Sequence, residues 1–171
     1  MLRRELKGRK PAPKQVAVLA DPLFDKDDER VKPSATSAEM QTLLSRQALD
    51  RAARDTNFSF NRLPGTRQEA EQILALVPQA EQKLALDFAA NRAAVTSPVL
   101  SQYRIVHFAT HGILNSVNPE LSRGVLSLVD EKGAPQNGFL RLQEIYNLKL
   151  PAELVVLSAC RTGLGKEVKK G

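Results

Sequence analysis

The chain of 171 residues has a single cysteine, Cys160, and therefore cannot form an internal disulfide bond. Aromatic residues make up only 5% of it, tryptophan is absent, and no motif typical of nucleic-acid-binding modules is present. No apolar run approaches the length of about 18 residues needed to cross a membrane, and the basic N-terminus lacks the apolar segment of a signal peptide. We therefore expect a cytoplasmic protein that binds neither nucleic acid nor membrane, with its net charge of +6 on a solvated surface.

The rest of the composition is that of a globular protein, with 42% hydrophobic and 26% charged residues. This length suffices for one domain with a hydrophobic core. Residues 1–14 are basic and contain proline, and we interpret them as an arm or linker. The domain then spans residues 15–171, with a polar segment at about residues 37–55 that we expect to be a helical or partly disordered insert.

Two apolar segments define the centre of the expected fold. Residues 154–157 (LVVL) form a short run rich in β-branched side chains, which predicts a strand buried on both faces of a parallel sheet. Residues 103–112 (YRIVHFATHG) have the same form, and both segments lead into small residues and glycine. Because ligands and chemistry gather beyond the carboxyl ends of parallel strands, we expect His111 and Cys160 to lie at one edge of the sheet.

Shorter patterns complete the prediction of an α/β fold. Residues 15–20 (QVAVLA) predict the first strand, which ends at Asp21. Residues 63–77 predict a helix in which Thr66 is the N-cap and Glu69 completes a capping box. The other expected elements are strands at residues 83–88, 124–130 and 139–140, and helices at residues 91–100 and 142–148. Alternation of strands and helices favours a mainly parallel sheet.

A cysteine and a histidine at one sheet edge suggest nucleophilic catalysis. The thiolate is the reactive form of cysteine, and His111 is the candidate base that would generate it from Cys160. The backbone N–H groups of Gly112 and Cys160 are candidate donors to the oxyanion of a tetrahedral intermediate. The alternative is that Cys160 is a buried small hydrophobic residue, as many free cysteines are.

Other polar residues have simpler interpretations. His107 and His111 share a face of a strand but stand about 13 Å apart, so we expect a hydrogen-bonded core histidine at position 107 and no metal site. Asp21 ends a strand, and it either opens onto the same sheet edge, where it could line a pocket for an arginine or lysine side chain of a substrate, or initiates a turn before Pro22. Gly163 and Gly165 are not followed by the lysine and hydroxyl residue of a phosphate loop, and we expect no cofactor.

In combination, several motifs resemble the CHAT family of bacterial caspase-like cysteine peptidases, which are often attached to TPR repeats. The motifs are HFATHG at residues 107–112, LSACRTG at 157–163, LPGTRQE at 63–69, PELS at 119–122 and GFL at 138–140. The resemblance implies a caspase–hemoglobinase-like three-layer αβα fold with a mainly parallel sheet. It also implies that His111 is the general base, that Cys160 is the nucleophile, and that the substrate is a protein or peptide. A histidine about 50 residues before the nucleophile is the caspase order.

The chain departs from the family pattern in two ways. It stops at Gly171, where family members continue through further strands, and Arg161 stands where glutamine or glutamate is common. We therefore expect the C-terminal part of the domain to be missing, this chain alone to have little or no peptidase activity, and the exposed sheet edge to favour self-association. The alternatives to a cysteine endopeptidase are a catalytically silent interaction or scaffold module, and an inactive fragment.

Overall fold

Six strands form one sheet in the computed structural model, which describes residues 11–32, 60–113, 122–148 and 150–161. The strands are β1 (Lys14–Pro22), β2 (Gln82–Asp87), β3 (Tyr103–Ile113), β4 (Arg123–Val125), β5 (Phe139–Arg141) and β6 (Leu154–Arg161). Parallel pairing gives the order β2–β1–β3–β6. The short β4 and β5 extend the sheet with antiparallel pairing.

Strand β3 lies at the centre of this sheet. Its residues 103–109 pair with β1, and its residues 105–112 pair with β6 along the other edge. Strand β4 pairs with residues 111–113 of β3, beyond the last residue of β3 that pairs with β1. The carboxyl end of β3 is thus flanked by β4 on one side and by β6 on the other.

Helices cover both faces of the sheet. The helices are α1 (Pro64–Leu74), α2 (Arg92–Thr96) and α3 (Leu142–Asn147), and 3-10 turns lie at Gln79–Glu81 and Pro98–Gln102. Helix α1 packs through Ala70 and Leu74 on Val16 and Val18 of β1. Helices α2 and α3 pack against the opposite face, which carries the alternate residues of the same strands. This arrangement follows from strand geometry, since successive side chains point to opposite faces.

The apolar patterns of the sequence correctly predict the strands that form the sheet and the helices that pack on it. Residues 16–20 of β1 are between 0% and 3% exposed, as expected of a strand covered on both faces. The predicted strand at residues 124–130 is shorter than expected, because only Arg123–Val125 is extended and the next residues enter a buried irregular segment. The mixed α/β class is confirmed, and the predicted insert at residues 37–55 lies outside the described residues.

Two further predictions are wrong. Helix α1 begins at Pro64, so Leu63 and not Thr66 is its N-cap, and proline suits the first helical turn because no N–H is needed there. The predicted burial of residues 154–157 on both faces is not observed, since Leu154, Val155 and Leu157 are 41% to 59% exposed. Within the described part of the chain, β6 pairs only with β3.

None of the described helices is long and apolar enough to cross a membrane.

Candidate catalytic site

The carboxyl ends of β3 and β6 bring the two candidate catalytic residues together in the backbone. His111 and Cys160 are register partners on these parallel strands, and Gly112 is the partner of Arg161. Register partners on neighbouring strands lie on the same face of a sheet and about 4.8 Å apart. Strand pairing therefore brings together two residues that are far apart in the sequence.

The His111 ring is enclosed by the end of β1 and by the segment that precedes α1. It is only 3% exposed, and its centroid lies 4.9 Å from that of Phe24 and 5.6 Å from that of Phe60. Its Nε2 lies 2.7 Å from the carbonyl oxygen of Asn61. A backbone carbonyl only accepts hydrogen bonds, so Nε2 must carry the proton.

This hydrogen bond determines the chemistry of the other ring nitrogen. In a neutral imidazole with a proton on Nε2, Nδ1 has a free lone pair and is the basic atom. The buried Nδ1 of His111 has no hydrogen-bond partner among the described residues. Buried polar atoms of native proteins are rarely left unpaired, and an exception calls for an explanation.

Gly112 occupies the central position between three strands. It is the register partner of Arg161 on β6 and of Gly124 on β4. Two residues before it, the Thr110 hydroxyl donates a hydrogen bond to the carbonyl oxygen of Val125. This bond and the strand pairing hold the end of β3 in place, and the role of the Gly112 and Cys160 N–H groups as oxyanion donors stays a prediction.

Asp21 lies at the end of β1 and is fully buried, with an exposure of 0%. Its backbone is in the left-handed region, with φ of 44°, which aspartate tolerates better than most residues. Three guanidinium groups surround the carboxylate, at distances of 2.9 to 3.1 Å from Oδ2: those of Arg30, Arg62 and Arg67. The proposed role of Asp21 in a substrate pocket stays a prediction, and a substrate cation would have to compete with these arginines.

A second aspartate extends this ion network. Asp87 ends β2, has φ of 54°, and accepts hydrogen bonds from Arg30 and Arg67. Burial acts to raise the pKa of Asp87, but the hydrogen bonds from the two arginines outweigh it and lower this pKa. Asp28 binds Arg30 through both carboxylate oxygens, and this hydrogen bonding lowers the pKa of Asp28 to about 2. The carboxyl ends of β1 and β2 are therefore held together by charge.

His107 has a quite different environment from His111. Its ring is 7% exposed, and Nε2 lies 3.0 Å from Glu69 Oε1. The other carboxylate oxygen of Glu69 accepts a weaker hydrogen bond from Ser158, at 3.3 Å. Glu69 thus links β3 to β6 from helix α1 and does not cap that helix, while the prediction of a hydrogen-bonded core histidine at position 107 is confirmed.

A comparison with family models decides the classification. The model of the CHAT domain matches residues 2–171. The chain belongs to the CHAT family. This family is related to caspase-like peptidases. No curated protein and no solved structure matches the chain.

Sequence reasoning missed the segment of this CHAT domain, residues 60–62, that contacts both His111 and Asp21. The Phe60 ring lies against His111 at a tilt of 53°, Asn61 accepts the His111 hydrogen bond, and the next residue, Arg62, binds Asp21. A backbone carbonyl can be supplied by any residue type, so no pattern of residues signals the Asn61 contact. Glu69 was visible as a component of the motif LPGTRQE, but its partner on β3 was not.

Proposed function

We propose that this CHAT domain is a caspase-like cysteine endopeptidase domain with a caspase–hemoglobinase-like fold. In this proposal Cys160 is the nucleophile and His111 is the general base. The observation that carries it is the buried Nδ1 of His111, which has no described partner and belongs to the register neighbour of Cys160. A base is useful in catalysis when it is positioned beside the proton that it removes.

The proposed reaction begins with proton transfer from the Cys160 thiol to Nδ1 of His111. The thiolate then attacks the carbonyl carbon of the scissile peptide bond, and the negative charge moves to the carbonyl oxygen. Collapse of this intermediate breaks the C–N bond, and the proton on Nδ1 passes to the leaving amine. Water, activated by the same nitrogen, hydrolyses the acyl-enzyme and releases the second product.

The hydrogen bond from His111 to Asn61 supports this cycle at each proton transfer. It keeps the proton of the neutral ring on Nε2, and it stabilises the imidazolium that forms when Nδ1 accepts a second proton. The surrounding rings of Phe24 and Phe60 exclude water, which strengthens electrostatic interactions at the site. We further propose the N–H groups of Gly112 and Cys160 as the oxyanion donors.

The proposed partners are a protein or peptide substrate and a regulatory partner such as TPR-type repeats. A second candidate function is a catalytically silent interaction module. The exposed Leu154, Val155 and Leu157 of β6 favour it, because large apolar side chains along a strand are typical of surfaces that pair with another chain. Self-association through this strand belongs to the same candidate.

Thiol reactivity distinguishes the two functions without needing the natural substrate. We expect iodoacetamide to alkylate Cys160 at pH 6 faster than it alkylates a free thiol, and we expect the variant His111→Ala to lose this advantage. The variant Arg104→Gln is the control, because Arg104 pairs with Glu153 near the opposite end of β3. Equal rates for the parent protein and His111→Ala would leave only the interaction module.

A further inference from the structure

We propose that Arg62 is a positioning residue, which holds the Asn61 carbonyl against His111 through its ion pair with Asp21. This inference rests on the proposed function, because it concerns the atom that acts as the base. It also gives Asp21 a role that differs from a substrate pocket. We call residues 60–62 the strap, since they lie across the ends of β1 and β3.

The strap accepts a hydrogen bond from His111 through one backbone carbonyl. The Asn61 carbonyl oxygen is the only described acceptor at Nε2, at 2.7 Å. If this carbonyl turned away, the proton could move to Nδ1, and the ring would present a donor to the thiol where an acceptor is required. The base is therefore only as well defined as the position of one peptide group.

An ion pair with Asp21 holds this peptide group in place. The next residue, Arg62, donates from Nε to Asp21 Oδ1 at 3.2 Å and from Nη2 to Oδ2 at 3.0 Å. Two parallel hydrogen bonds between a guanidinium and a carboxylate fix both distance and orientation. Because Arg62 is adjacent to Asn61, this fork restrains the peptide plane that carries the acceptor.

Asp21, the anchor of this ion pair, is itself held firmly in the fold. Asp21 is 0% exposed, and its backbone N–H donates to Thr66 Oγ1 at 3.1 Å. The residue before it, Ala20, is the register partner of Ala109 on β3, two residues before His111. The anchor and the base are thus carried by neighbouring strands, and the strap bridges them on the side of helix α1.

Arg62 can be replaced without leaving the Asp21 carboxylate unpaired. Arg30 and Arg67 also bind the Asp21 carboxylate, so loss of Arg62 leaves this buried charge with two cationic partners. Arg62 is moreover only partly buried, with a side-chain exposure of 33%. Its replacement should therefore change the strap more than it changes the stability of the protein, which makes the role of Arg62 testable.

The experiment compares Arg62→Gln, Arg62→Lys and the control Arg104→Gln with the parent protein. Arg104 forms a comparable two-bond pair with Glu153, but at the amino end of β3. Two quantities are measured: the tautomer of His111, from the nitrogen-15 shifts of its ring, and the rate of Cys160 alkylation by iodoacetamide at pH 6. Denaturant unfolding of each variant verifies that it is folded.

We expect Arg62→Gln to lower the fraction of His111 with its proton on Nε2 and to slow alkylation roughly tenfold. Arg62→Lys keeps the charge but lacks the fork, so its rate should lie between those of Arg62→Gln and the parent. Arg104→Gln should match the parent in both quantities. If Arg62→Gln does not fold, Arg62→Lys decides the matter by the same two measurements.

An unchanged tautomer in the folded Arg62 variants overturns the inference, whether or not alkylation slows, because Arg62 would then act by another route. Failure of the proposed function has a different signature. In that case the parent protein and His111→Ala are alkylated at the same rate, while the tautomer measurement still reports whether Arg62 orders the ring.

Discussion

Asp21 and His111 lie at the carboxyl ends of neighbouring parallel strands, and their surroundings differ in one decisive respect. Both are buried, with exposures of 0% and 3%. Within the described residues, the carboxylate of Asp21 is bound by three arginines, whereas the His111 ring makes one hydrogen bond and its Nδ1 has no partner. A buried polar group with all its partners stabilises a fold, and a buried group with a vacant lone pair is available for chemistry.

The contrast also applies along β3 itself. His107 and His111 lie on the same face of this strand, but Glu69 binds the first and a backbone carbonyl binds the second. The Glu69 carboxylate also binds Ser158 of β6 and so ties His107 into the core, while the Asn61 carbonyl fixes the tautomer of the His111 ring. Residue type alone therefore does not distinguish the proposed base from the core histidine, and the hydrogen-bond partner does.

The largest expected effect comes from removing the proposed base, His111. We expect His111→Ala to slow Cys160 alkylation by up to about 10²-fold at pH 6, because alkylation follows the thiolate fraction, and a free thiol is less than about 1% thiolate at this pH. The matched variant His107→Gln keeps a hydrogen-bonding side chain opposite Glu69 and should retain most of the parent rate. Similar losses for the two variants would show that the histidines do not differ in function.

The next largest effect is on stability and comes from the saturated side of the comparison. We expect Asp21→Ala to lower the free energy of unfolding by about 3 kcal/mol, since it leaves three arginines without their shared carboxylate. Urea denaturation measures this, with Glu153→Ala as the control for an exposed pair. A loss below that of Glu153→Ala would mean that Asp21 is not the anchor that its burial indicates.

A smaller effect is expected where the strap meets the aromatic rings. Phe60 contacts the rings of Phe24, His111 and Phe139 at centroid distances of 5.6 to 6.2 Å. Phe60→Leu keeps an apolar side chain and should cost about 1 kcal/mol in the free energy of unfolding, together with faster exchange of the His111 Nε2 proton. Phe88→Leu, outside this group of rings, should leave that proton unaffected.

The smallest expected effect is the response of the ion network to acid. Arg30 lowers the pKa of Asp28 from 3.8 to about 2, so the pair contributes stability above pH 3.8 and loses it as the pH falls towards 2. Because the pair is partly open to solvent, we expect less than about 1 kcal/mol. Asp28→Asn should reduce the acid dependence of unfolding over this interval, and an unchanged dependence would contradict the assignment.

The sequence by itself determined the strands and the place of the candidate dyad. Contiguous apolar residues mark the strands, although the burial that they predict for β6 is not observed, and the small residues that follow such runs mark the carboxyl edge of a parallel sheet. For this reason the positions of β1, β3 and β6, and the proximity of His111 to Cys160 in the backbone, could be predicted without coordinates. The family motifs added the proposed roles.

Only the tertiary structure decided which of the polar groups are saturated. Arg62 and Asp21 are 41 residues apart in the chain, Asn61 and His111 are 50 apart, and neither pair leaves a local pattern. Glu69 illustrates the same limit, because its spacing from Thr66 predicts a cap while its side chain binds His107 on a strand. Hydrogen-bond partners are chosen by packing across the sheet, and a backbone carbonyl such as that of Asn61 has no residue signature.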